Sequence, residues 1–95
     1  MTANKLPTLL SAVDNARDQL QAYLPQDVPV TRYIALARRT LAEQPGVAEC
    51  ATANVLRELS RGAASGLPVD GRLSTFVVRR SKSGPPTIAW QPSYI

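Results

Sequence analysis

The chain has 95 residues and a mass of 10.2 kDa, enough for one small domain with little core to spare. Its residues are 44% hydrophobic and 19% charged, and eleven Lys and Arg against seven Asp and Glu leave a net charge of +4. Histidine is absent and Cys50 is the one cysteine, which excludes a Ser-His-Asp triad, a Cys-His pair, a His-ligated metal and an internal disulfide.

Residues 1–7 read as a loose tail without the apolar run of a signal peptide. Thr8 is placed as the N-cap of a first helix that ends near Leu24, where Pro25 stops it. Leu9, Val13, Ala16, Leu20 and Leu24 recur along it at helical spacing and define one apolar stripe. After a Pro-Gln-Asp-Val-Pro loop, Pro29 opens a second helix that runs to Gln44, before Pro45-Gly46. Its stripe is Val30, Tyr33, Ile34, Ala37 and Leu41, and Arg39 stands four residues before Glu43 on the opposite side. A third helix starts at Thr52 as N-cap, buries Val55, Leu56, Leu59 and Ala63, and ends where Gly66 supplies a left-handed cap. Val69-Asp70-Gly71-Arg72 then forms a turn.

From Leu73 the period changes from helical to extended. Residues 73–80 are rich in β-branched and aromatic side chains and predict a strand, Ser81–Pro85 a connecting loop, and Thr87–Trp90 a returning strand. Gln91–Ile95, with Pro92 in its first turn, predicts the start of a further helix. The fold class is thus α+β, three helices followed by a β-hairpin in a single domain over 1–95. A two-stranded ribbon is marginal alone, so it must pack on the helices or on another chain. No apolar stretch approaches the roughly 20 residues that span a bilayer, so no membrane partner is expected. A reducing, cytoplasmic compartment is expected.

Charge is distributed unevenly. Residues 1–50 carry five bases and five acids, and in 51–70 Arg57 and Arg61 are matched by Glu58 and Asp70. Residues 71–95 carry Arg72, Arg79, Arg80 and Lys82 with no acid, together with Phe76, Trp90 and Tyr94. Cations interleaved with flat rings suit single-stranded nucleic acid, in which phosphates need neutralising and unstacked bases need a platform. The same pattern also describes a solvated face with core aromatics.

The features of the chain follow one another in a distinctive order. Gln19-Leu20-Gln21-Ala22-Tyr23-Leu24-Pro25 precedes a helix opening with Arg32-Tyr33-Ile34, and Pro45-Gly46-Val47-Ala48-Glu49-Cys50 precedes a helix ending in Ala63-Ala64-Ser65-Gly66-Leu67. Pro68-Val69-Asp70-Gly71 and a basic strand then lead to Ala89-Trp90-Gln91-Pro92-Ser93-Tyr94. This order resembles the N-terminal part of the RecT family of phage and prophage single-strand annealing recombinases, over nearly all of residues 16–95. The resemblance implies a protein that coats single-stranded DNA and pairs complementary strands without ATP, for recombination or DNA repair in a bacterial host cell. It further implies a homo-oligomer, working beside a phage exonuclease or a host single-strand-binding protein. Family members continue past the Gln-Pro-x-Tyr segment, so the expectation is either a fragment or truncated form of such a protein or a chain that uses only the N-terminal module. Ser65 stands where the family often has a larger apolar residue, which implies looser packing there.

On this reading Arg79, Arg80 and Lys82 meet phosphates, Arg72 joins them, and Tyr94 and Trp90 supply rings for stacking. The alternation with Ile88 also places Trp90 on the core side of the hairpin. Arg79 and Arg80 equally suit a charged β-edge that resists aggregation. Phe76 is expected in the core, Tyr33 in the core or a subunit interface, and Cys50 as a small buried hydrophobe. Arg38 and Arg39 suit DNA, a neighbouring subunit or plain solvent. No catalytic residues, metal or cofactor are expected, because paired carboxylates in a pocket and a phosphate-cradling glycine loop are both missing. The alternative function is an oligomerisation or partner-interaction module that modulates a full-length relative and does not itself anneal.

Overall fold

The computed structural model describes residues 6–80 and 82–92. Four helices and a hairpin follow one another as α1 (Leu6–Asn15), α2 (Arg17–Tyr23), α3 (Val30–Ala42), α4 (Thr52–Ser65), β1 (Ser74–Arg79) and β2 (Thr87–Pro92), with a 3-10 turn (Val47–Glu49) ahead of α4. The expected first helix is therefore two. At Ala16 (φ −86°, ψ 9°) the backbone N–H is shared between the carbonyls of Ala12 and Val13, at 3.1 and 3.2 Å, and one helix gives way to the next. No Pro or Gly marks the break, and the apolar stripe continues through it: Leu9, Val13, Ala16 and Leu20 are all buried. Helix α1 already includes Leu6 and Pro7, so Thr8 lies inside it and is not a cap. Thr52 is likewise the first helical residue of α4, with Ala51 in the cap position.

The core forms where the four helices meet. Val30, Tyr33, Ile34, Ala37 and Leu41 from α3 pack with Val55, Leu59 and Ala63 from α4. Tyr33 Oη donates to the Leu59 carbonyl at 2.6 Å and ties the two helices across the middle. Gly66, at φ +78°, ends α4 with its N–H on the Ala63 carbonyl, in the left-handed conformation that a Cβ would oppose. Ser65, expected to loosen this end, tightens it. Its hydroxyl donates to the Gly62 carbonyl at 2.6 Å and accepts the Leu67 N–H at 3.1 Å.

The hairpin is antiparallel, with Phe76 opposite Trp90 and Val78 opposite Ile88. Ser74, Phe76, Val78, Ile88, Trp90 and Pro92 share its inner face, while Thr75, Val77, Arg79, Thr87, Ala89 and Gln91 share its outer face. Gln91 and Pro92 belong to β2, so they do not open the helix expected there; residues 93–95 lie outside the described residues. The ribbon is held to the helices as the marginal stability of two strands requires, by side chains of α4. Asn54 Nδ2 donates to the Ile88 carbonyl at 3.2 Å and its Oδ1 accepts the Ile88 N–H at 2.8 Å. One turn on, Glu58 Oε1 accepts the Trp90 N–H at 3.0 Å. Two polar side chains at i and i+4 thus take the place of a third strand along the free edge of β2. The segment leading into β1 is pinned in the same manner: Thr40 Oγ1 donates to the Val69 carbonyl, and Ser74 Oγ to that of Pro68, each at 2.8 Å.

Candidate nucleic-acid interface

Arg79 ends β1 on its outer face, and Arg80 and Lys82 follow in the connection to β2, so these three cations share the hairpin tip. All three are exposed. Neither Arg79 nor Lys82 has an acidic partner among the described residues. Arg80 lies 3.7 Å from Glu49, a loose pair between side chains 70% and 63% exposed, which solvent screens. Arg72 is elsewhere. It is exposed in the turn before β1, a strand length from the tip, beside Arg39, Glu43 and Asp70. The four cations that the sequence groups together are therefore three and one.

The window of balanced charge conceals two more. Glu58 is buried, its side chain only 5% exposed, and receives Arg61 at 3.1 Å and Arg57 at 3.6 Å as well as the Trp90 N–H. Both guanidinium groups stay largely in solvent at the seam between α4 and β2. One inward carboxylate with two outward arginines makes this seam net positive. A charge count along the chain cannot show it, because the count gives buried and exposed groups the same weight. Arg38 and Arg39 are engaged otherwise, Arg38 with Asp14 at 2.9 Å and Arg39 with Glu43 at 3.3 Å.

The aromatic residues divide differently from the charge. Phe76 and Tyr33 are core residues, and burial pushes the Tyr33 phenol well above its ordinary pKa. Trp90 sits half-buried on the inner face, its Nε1 buried and without a hydrogen-bond partner among the described residues. A Cβ at Gly62 would lie 2.9 Å from that nitrogen and 2.8 Å from Tyr33 Oη, so the indole edge lies directly on the α4 backbone. This position supports anchoring of the ribbon in place of stacking on a base. Tyr94 lies outside the described residues. The open ring is one that the sequence reading did not select: Tyr23 at the end of α2, 51% exposed.

Cys50 is buried, with its Sγ 3.7 Å from the Gly46 carbonyl. Burial and the adjacent Glu49 carboxylate raise its pKa, against a smaller lowering by Arg80, and leave it a poor nucleophile. Asp70 accepts the backbone N–H groups of Arg72 and Leu73 at 2.8 and 2.9 Å, and these bonds hold its carboxyl below the ordinary range. Among the described residues no helix is long and apolar enough to cross a membrane, and no three His, Cys, Asp or Glu side chains gather as a metal site. No model of a known protein family, no curated protein and no solved structure matches the chain.

Proposed function

We propose that this domain binds single-stranded DNA along the hairpin tip and the α4–β2 seam, without catalysis. The observation that carries the reading is the pair Arg79 and Lys82, exposed at the tip with no carboxylate to neutralise them among the described residues. Arg80 at the tip and Arg57 and Arg61 at the α4–β2 seam add further cations, each more than 60% exposed. Phosphates satisfy such a surface with gain from released counterions. The RecT-like order of segments extends the proposal from strand binding to ATP-independent strand annealing, by a homo-oligomer acting with an exonuclease or a single-strand-binding protein. A helical partner-interaction module is the second reading. Leu73, 49% exposed beside Arg72, favours it.

The test is binding of a labelled oligonucleotide across a salt series. Log affinity against log salt falls by about 0.7 per neutralised phosphate, so Arg79→Ala with Arg80→Ala flattens the slope by about 1.4. An unchanged slope removes the tip from the interface. Light scattering with and without a full-length relative separates the second reading: a monomer that ignores the relative and holds DNA excludes it.

A further inference from the structure

Between α2 and α4 runs a groove of about 380 Å³ lined by Gln19, Tyr23, Ala53, Leu56, Arg57 and Ser60. Its composition differs from that of the polar cleft beside β1, where Glu43 and Asp70 offset Arg39 and Arg72. No carboxylate lines the α2–α4 groove. Tyr23 forms one wall with its ring open to solvent, and half-buried Leu56 lies across from it. At the rim Arg57 is 70% exposed and only loosely paired, its Nε 3.6 Å from the Glu58 carboxylate. Ser60 gives its hydroxyl proton to the Leu56 carbonyl at 3.0 Å, so its lone pairs remain to accept, and the Gln19 amide both donates and accepts.

We propose that this groove takes one unstacked base of a single DNA strand, with Tyr23 stacking on its face and Arg57 holding the adjoining phosphate. The inference rests on the single-strand reading above and adds a base-binding subsite to it. An aromatic wall asks for a flat ligand, and a solvent-exposed guanidinium whose pairing with Glu58 is loose, at 3.6 Å and shared with Arg61, asks for an anionic one; a nucleotide is both. Gln19 and Ser60 offer the donor and acceptor pattern that a base edge needs. The groove is continuous with the proposed interface through Arg57, which also reaches Glu58 at the α4–β2 seam.

The experiment compares a fluorescein-labelled thymidine oligomer with an abasic oligomer of equal length. Tyr23→Ala lowers affinity for the thymidine oligomer about tenfold, a single stacking contact, and leaves the salt slope and abasic binding unchanged. Tyr23→Phe keeps wild-type binding, whereas Arg57→Ala flattens the salt slope by about 0.7 on both oligomers. Equal losses on the two oligomers with Tyr23→Ala, or no loss on either, overturn the subsite. If Arg79→Ala with Arg80→Ala still weakens binding in that case, the single-strand reading stands without the groove. Wild-type protein that binds neither oligomer overturns both. Concentration-dependent light scattering that Tyr23→Ala abolishes would assign the groove to a second copy of the chain and overturn the base subsite.

Discussion

Gly62 sits in the middle of α4, where glycine costs about 1 kcal/mol relative to alanine. Its hydrogen is the only substituent that fits, since a Cβ would come within 3.0 Å of both Tyr33 Oη and Trp90 Nε1. Replacing Gly62 with alanine gains helix propensity and loses more to overpacking, for a net destabilisation of about 1 kcal/mol. Urea unfolding followed by Trp90 emission measures this directly, and a stabilised variant would mean that the close approach is not under constraint. Such a position is invisible in the sequence, where a lone mid-helix glycine carries no sign of the two rings that meet it. By contrast, each member of the stripes Leu9–Val13–Ala16–Leu20–Leu24 and Val30–Tyr33–Ile34–Ala37–Leu41 is apolar and regularly spaced, and all are buried as that spacing predicts except Leu24, which is partly buried at the helix end.

At the scale of elements, the junction of α4 with β2 joins fold to candidate site. Asn54 satisfies both backbone groups of Ile88, so Asn54→Ala leaves a donor and an acceptor without partners and costs about 1–3 kcal/mol. Hydrogen exchange at the Ile88 amide accelerates in that variant; unaltered protection would show that the hairpin stays docked without Asn54. Hydrophobic periodicity could not reveal this junction. Asn54 and Glu58 look like surface residues because their partners are backbone groups more than thirty positions away. The hairpin itself was legible from its β-branched run, and its tip cations from the absence of acids around them. Arg57 and Arg61 were hidden by the neighbouring Glu58, and Tyr23 by its place at a helix end beside Leu24-Pro25.

For the molecule as a whole, stability against acid follows from its titrating groups. With no histidine in the chain, no side chain of ordinary pKa changes charge between about pH 5 and 8. Asp70 has a folded pKa below its unfolded one, so its contribution is complete above the ordinary carboxylate value and fades as pH falls through the lowered value. Asp70→Asn keeps the side-chain oxygen that the turn uses and removes the titration. The melting temperature of this variant therefore declines less between pH 5 and pH 2 than that of the wild type, as thermal unfolding followed by circular dichroism will show. A parallel decline in both proteins would place the acid sensitivity at other carboxylates.

The occupied border of the two-stranded sheet also limits how copies of this chain can join. Asn54 and Glu58 have already taken the outward N–H groups of Ile88 and Trp90, while Ser74 and Phe76 on the other strand have no accessible surface. Hydrogen-bonded growth from one sheet into the next is closed at those positions. A ring or filament built from this domain would therefore gain nothing from backbone pairing at those four positions, and contacts between side chains on its helices and loops, which salt or single substitutions can dissolve, would have to supply what that pairing cannot.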